Sequence, residues 1–333
     1  MVKKQIRKAR KRLRIVITLI AILAIVLFAA YKFIFAEKPE IPDGVAEVHC
    51  IDVGQGDSTL ILADDMTVLI DTGENDPANV VIDYLKELKI AVIDYFIITH
   101  FDSDHFGEAE EVLKEFTVKN LIIPDQKKTT KMYNVFMETL KAQSEIFVYV
   151  IEDNDDLDTD IEVDDIIDID DKNDRKLYVG QIDEAVENDK GDLELEFFGP
   201  VNDSYNNSND YSIIVMARWG NNKMLFTGDA EVKAEQALTN KYGLEIDELL
   251  DCDIFKAGHH GSSTSSCKDV LDAASPVYVI ISCGEDNSYG HPHTEAMERF
   301  TSSVGEKNIY RTDLQGDIIF ILDGTSITVN TKK

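Results

Sequence analysis

The run Thr99-His100-Phe101-Asp102-Ser103-Asp104-His105-Phe106-Gly107 gathers two imidazoles and two carboxylates into six residues. It follows the apolar stretch Tyr95-Phe96-Ile97-Ile98, so an extended segment is expected to deliver the chain to a tight loop bearing four metal-ligand types. Groups this crowded repel one another and lose hydration unless a cation organises them. A polar loop after a strand is the plain alternative, and recurrence of the same groups downstream argues against it. Of seven histidines, six fall in three short clusters: His100 and His105, His259 and His260, and His291 and His293. Between the first two clusters, Met224-Leu225-Phe226-Thr227-Gly228-Asp229 ends an apolar run on a carboxylate. The expectation is a divalent-metal site. His49, in the middle of Ala46-Glu47-Val48-His49-Cys50-Ile51, reads instead as a packed structural histidine.

The elements that must position these groups share one grammar: a buried strand, a glycine-containing loop, then the ligands. Loops at one edge of a sheet are where a rigid scaffold places chemistry. Strand-like runs cover residues 47–53, 59–62, 67–71, 93–99, 120–123, 147–151, 193–198, 212–218, 223–227, 252–257, 277–282, 309–311, 317–322 and 326–329. Amphipathic helical runs interleave them at 79–88, 108–116, 131–142, 231–242, 268–274 and 294–303. In the first of these, Val81, Leu85 and Leu88 share one face. Gly220-Asn221-Asn222 predicts a hairpin just before Thr227-Gly228-Asp229. The fold class is therefore α/β (α+β), with two sheets flanked by helices, in a domain large enough to bury a substantial single core.

The order of Asp52-Val53-Gly54-Gln55-Gly56-Asp57-Ser58, Leu69-Ile70-Asp71-Thr72-Gly73, the His100–His105 run, Thr227-Gly228-Asp229, Gly258-His259-His260-Gly261-Ser262 and Tyr289-Gly290-His291-Pro292 resembles the metallo-β-lactamase superfamily. Within it, the chain is similar to the hydrolase domain of ComEC-type DNA-uptake competence proteins and to bacterial choline-phosphoesterases. The resemblance spans residues 45–330 and implies an αββα sandwich. Asp102 stands where the wider superfamily has a second histidine, as is usual in the ComEC-like branch. No histidine lies between 106 and 258 to fill the usual third position. The resemblance implies two divalent ions, Zn²⁺ or Mn²⁺, with oxygen ligands numerous enough for Mn²⁺ to compete with Zn²⁺. One would be held by His100, Asp102 and His259, the other by Asp104, His105 and His291, with Asp229 bridging. The choice within His259/His260 and within His291/His293 stays open.

The expected activity is metal-dependent hydrolysis, with a phosphodiester favoured as substrate. Asp104 counts among the catalytic groups as well as the ligands. Lys256 and Ser262 could contact a phosphoryl oxygen, and His260 or His293, whichever is not a ligand, could protonate the leaving group or orient a ligand. The loop 52–58 and Asp71 are expected to buttress the site by hydrogen bonds. A lactone, ester or β-lactam hydrolase is the alternative on the same fold, and a non-catalytic surface binding module the third reading. No multi-helix apolar region is present to form an import channel.

Eight cations within residues 1–14 precede an apolar segment from Ile15. The expected organisation is a basic cytoplasmic tail at 1–14, a transmembrane anchor at 15–36, a stalk at 37–44 and the hydrolase domain at 45–333. The anchor would cross the bilayer with the N-terminus inside and the domain outside, a cleaved signal peptide being the competing reading. The whole chain carries a formal charge of −30, with acidity concentrated in an insert near 152–192, where alternation in 161–170 suggests edge strands with one wet face. No closed calcium-loop pattern occurs there. Such a field disfavours a nucleic-acid substrate at long range. Four cysteines without a Cys-x-x-Cys unit argue against a thiolate zinc site and for buried free thiols.

Overall fold

The computed structural model describes residues 41–63, 66–75, 79–143, 145–152, 165–168, 176–179, 193–201 and 205–333. The expected tail and anchor, and most of the acidic insert, lie outside these residues. Among the described residues no helix is long and apolar enough to cross a membrane. Residues 41–84 and 92–333 form one compact unit. Residues 85–91, the end of one helix and the turn after it, fall outside this unit.

Strands β1 (Ala46–Cys50), β2 (Thr59–Ala63), β3 (Met66–Ile70), β4 (Val92–Ile97), β5 (Thr117–Pro124), β6 (Phe147–Glu152) and β7 (Asp165–Asp168) belong to the first sheet. The second sheet takes β8 (Lys176–Val179), β9 (Leu193–Gly199), β10 (Ile214–Trp219), β11 (Asn222–Phe226), β12 (Ile254–Lys256), β13 (Tyr278–Ile281) and β14 (Ile309–Arg311). The chain then returns to the first sheet with β15 (Ile318–Leu322) and β16 (Ile327–Thr331), giving the order β16-β15-β1-β2-β3-β4-β5-β6-β7 beside β14-β13-β12-β11-β10-β9-β8. The insert thus contributes β7 and β8, each at a sheet edge.

Period-two alternation decides which side chains enter the core. In β10, Val215, Ala217 and Trp219 face the first sheet, whose Val48, Ile61, Ile97 and Phe320 meet them. Ile214 and Met216 point the other way, with Leu225, Phe255 and Val279, onto helices α5 (Val232–Tyr242), α7 (Lys268–Ala274) and α8 (Thr294–Val304), which follow α1 (Val80–Glu87), α2 (Ser103–Phe106), α3 (Ala109–Glu115) and α4 (Lys131–Lys141) and bracket the short α6 (Ile246–Leu250). The outer layer of the first sheet is built by α3 and α4, which pack together, with α3 also against β5. The result is the αββα sandwich expected from sequence.

The predicted hairpin forms between β10 and β11, with Trp219 opposite Asn222. Its two-residue turn needs a positive φ at the first central position, and Gly220 supplies it at 57°. His49 is buried between Tyr84 Oη (2.8 Å) and Glu47 Oε2 (3.0 Å), a structural role as expected. All four cysteines are free thiols. Burial pushes Cys50 up to about 12, which makes it inert as a nucleophile.

Candidate metal centre

Parallel strands end together at one sheet edge, and the crevice outside their carboxyl ends is where such folds place ligands. Here β3, β4 and β5 run parallel in one sheet and β11, β12 and β13 in the other. Asp71 follows β3, the His100–His105 run follows β4, Asp229 follows β11, His259 and His260 follow β12, and His291 follows β13.

Asp71 organises the first half of the site. Its Oδ1 accepts the Thr99 N–H at 2.8 Å, and its Oδ2 accepts both Thr99 Oγ1–H and the Nδ1–H of His105 at 2.7 Å. Thr99 Oγ1 in turn lies 3.2 Å from His100 Nδ1. One carboxylate therefore orients His105 directly and His100 through a hydroxyl, with both Nε2 atoms directed away from it. Asp104 and His105 sit on α2, a single helical turn where the sequence suggested only a loop.

From the second sheet, Asp229 is set by Gly228, whose φ is +51° and where a Cβ would come within 2.9 Å of the Ser212 side chain. The Ser212 hydroxyl accepts the Asp229 N–H at 2.9 Å. Asp229 Oδ1 then lies 3.1 Å from His105 Nε2, and Oδ2 lies 3.5 Å from His260 Nε2 and 3.7 Å from His259 Nε2. His260 Nδ1 points at the Ser282 carbonyl (3.1 Å) and at Asp57 Oδ1 (3.3 Å), while its Nε2 reaches Asp104 Oδ2 at 3.2 Å. His259 and His260 both adopt left-handed backbone, with φ of 48° and 55°. Two consecutive non-glycine residues in that region carry strain of the kind found at functional sites, and the turn aims neighbouring imidazoles into one cluster.

Asp229 and His260 open onto a cleft of about 460 Å³, whose wall includes Asp102, Asp104, His259, His291, Gln55 and Lys128. His260, rather than His291, is the imidazole against Asp104 and Asp229. His291 lies one layer out, its ring centroid 5.3 Å from that of His259 and 6.0 Å from that of His260. Three sequence expectations need correction. Lys256 is buried with Nζ on Asp57 Oδ2 at 2.7 Å and on the Ala257 carbonyl at 3.2 Å, so its charge is spent beneath the cleft. His293 accepts the Ser263 N–H at 2.9 Å through Nδ1 and faces the Tyr289 carbonyl at 3.2 Å through Nε2, which holds it off the cleft wall. Ser262 is buried on Thr264, 3.0 Å away. Sequence reading missed Lys128, Gln126 and Ser208, and gave Asp57 only a place in a buttressing loop.

The donor set fits metal ions. His100 Nε2 is buried with no hydrogen-bond partner, and His105 Nε2 and Asp229 Oδ1, buried 3.1 Å apart, face each other without a well-directed hydrogen bond, an arrangement that costs stability unless something else satisfies them. Ligand atoms of Asp57, His105, Asp229 and His260 all lie within 4.8 Å of one another. Burial, and then the positive charge of His105, lower His100 to about 3 and keep it a neutral imidazole, the form that ligates. Burial opposes charge on both His260 and Asp229. The carboxylates of Asp229 and Asp57 nevertheless carry His260 up to about 10, and His105 and His260 hold Asp229 well below the usual carboxylate range. The pocket demands positive charge, which a divalent ion supplies more fully than a proton.

The sequence pattern of the family described as "Metallo-beta-lactamase superfamily" matches residues 51–285. Over 294 residues the chain is 29% identical to ComE operon protein 3 of Bacillus subtilis (strain 168), covering 82% of this chain and 32% of that protein. It is 28% identical over 303 residues to competence protein ComA of Neisseria gonorrhoeae, covering 90% of this chain and 35% of that one. It spans about a third of the length of these curated relatives. Among solved structures, the metallo-beta-lactamase fold protein YhfI from Bacillus subtilis aligns with a TM-score of 0.46 at 10% identity, over 80% of this chain and 95% of that one.

Proposed function

Because the chain belongs to the metallo-β-lactamase superfamily and is a metal-dependent hydrolase of that class, we propose that its reaction is phosphodiester hydrolysis at a dinuclear centre. The observation that carries this reading is the convergence, at and just beneath a solvent-open cleft, of imidazoles and carboxylates from both sheets, with ligand atoms of His105, Asp229 and His260 within 4.8 Å of one another. His100, Asp102 and His259 would hold one ion and Asp104, His105 and His260 the other, with Asp229 between them. Zn²⁺ and Mn²⁺ both suit this mixture of imidazole and carboxylate. When bound, such ions supply an activated water and neutralise charge developing on a substrate oxygen.

The chain's own residues do the rest. Asp71 and Thr99 hold the imidazoles of His105 and His100 in the ligating orientation. Asp57 and the Ser282 carbonyl do the same for His260. His291 takes the role first assigned to His260 or His293: it is the imidazole left on the cleft wall to handle the leaving group's proton. Kinship with competence proteins favours a nucleic acid or another phosphate-containing polymer over a lactone or β-lactam.

The purified chain with Zn²⁺ or Mn²⁺ is expected to cleave bis(p-nitrophenyl) phosphate in a chelator-sensitive way. Long DNA is expected to be a weak substrate at low salt and to improve as salt screens the field of a chain carrying −30, since the screening length is about 8–10 Å near physiological ionic strength. Lactone or β-lactam turnover without diester cleavage would replace this reading. DNA cleavage that falls steadily with added salt would instead indicate a cationic track.

The location we propose is the outer face of a membrane, reached through the apolar segment from Ile15 with its preceding cations inside. External protease on intact cells should then digest the hydrolase domain. Protection until the cells are opened would exclude the proposed orientation.

A further inference from the structure

We propose that Lys128 is the residue that selects for an anionic substrate, its ammonium group receiving a non-bridging oxygen of the phosphodiester in the cleft. The assignment rests on the phosphodiesterase reading above and names the side chain that enforces it.

Lys128 lies in the loop between β5 and α4, on the same side of the first sheet as the His100–His105 run. It is the sole lysine or arginine among the described residues lining the cleft. Lys256, the other cation near the site, is buried on Asp57. A chain of charge −30 repels anions at a distance, so an entering phosphate needs a cation at contact range. A neutral ester does not.

The ammonium is held in place before any substrate arrives. Its Nζ lies 2.6 Å from Asp102 Oδ1 and also bonds Ser208 Oγ, which itself donates to the same Asp102 oxygen at 2.7 Å. Gln126, buried in the same loop, accepts the Phe101 N–H at 2.9 Å and donates to the Ser208 carbonyl at 3.1 Å. The Lys128 loop is thereby tied to the segments carrying Asp102 and Ser208, one from each sheet. An ammonium has three donors, and Asp102 and Ser208 account for two. The third is available to a ligand, and a side chain already ordered gives up little further rotamer freedom on binding.

The competing role is charge balance. Asp102 adds a carboxylate on the cleft side of His100, its Oδ2 lying 3.9 Å from His100 Nε2, and Lys128 could serve only to neutralise it. Lys128→Met and Lys128→Arg in the full-length, metal-loaded chain separate the two. Four quantities are measured: metal per chain by mass spectrometry, affinity for inorganic phosphate by calorimetry, and KM and kcat for bis(p-nitrophenyl) phosphate and for neutral p-nitrophenyl acetate.

Loss of one charged hydrogen bond should weaken phosphate binding and raise the diester KM by about ten-fold in Lys128→Met. Metal content, diester kcat and the neutral-ester KM should stay near the parent's, and Lys128→Arg should recover most of the loss. Metal content falling in step with phosphate affinity, or equal losses on the charged and neutral esters, would make Lys128 a positioning residue for Asp102 and overturn the assignment. Unchanged phosphate affinity and diester KM in Lys128→Met would overturn it as well. If the parent cleaves no diester and binds no phosphate, the phosphodiesterase reading fails, a result distinguishable from either of these.

Discussion

Asp229→Ala is expected to abolish hydrolysis, by about a thousand-fold or more, and to release metal from both halves of the centre at once while the domain stays folded. Asp229 faces His105 through one oxygen and His259 and His260 through the other. These three imidazoles, one from the first sheet and two from the second, all lie within 3.7 Å of it. Removing it leaves His105 and His260 without the anion that chiefly offsets their burial. The fold should survive, because Asp229 sits at the mouth of the sandwich rather than among the side chains of its apolar centre. Metal analysis, circular dichroism and a diester assay on one preparation test all three parts. Undiminished metal occupancy in the variant would rule out the shared role.

Lys256→Met should cost about 3–5 kcal/mol of stability, the range for breaking a buried ion pair by removing one partner. Lys256 and Asp57 are both buried and 2.7 Å apart, and methionine would leave the Asp57 carboxylate without its main cation. The effect has a pH signature. Burial opposes ionisation of Asp57, but Lys256 and then His260 hold its carboxyl below the usual carboxylate range. A group depressed in the folded state contributes stability that is present above its unfolded value, about 3.9, and lost as pH falls through the folded one. The deficit of the variant should therefore be largest at neutral pH and narrow below about pH 4. Urea denaturation of the chelated proteins at pH 7 and pH 3 measures it. Adding Asp57→Asn should recover part of the loss at pH 7. A deficit under 1 kcal/mol at neutral pH would show that the pair contributes little.

The strands were legible because most are short, nearly continuous apolar runs, buried on both faces between the partner sheet and a helix layer, and the ligand clusters because each follows such a strand within a few residues. Thr99 through His105 announces itself by local density alone. The partners that orient the ligands carry no such signal. Asp57 meets Lys256 across 199 positions, and Asp102 meets Ser208 across 106, so only closure of the two sheets brings them together. Adjacent histidines 259 and 260 look interchangeable in sequence; a left-handed turn sends one toward Asp104 and leaves the other between Asp229 and Glu231. Lys256 drew attention by standing next to that cluster, yet strand pleating turns it inward. Lys128 drew none, lying in a polar loop with a second lysine and two threonines.

The ligands proposed for this centre are shared between the two sheets: His100, Asp102, Asp104 and His105 from one, Asp229, His259 and His260 from the other. An ion bound there acts as a reversible cross-link between halves of the chain that are far apart in sequence, and an unfolded chain cannot keep it. Mass action then ties persistence to ion supply. Each tenfold rise in free metal above the dissociation constant adds about 1.4 kcal/mol per site to the unfolding free energy, and a hundredfold excess adds about 2.7 kcal/mol. With two sites, metal scarcity would both silence the centre and loosen the sandwich, so that starved molecules are also the ones most readily cleared by proteases.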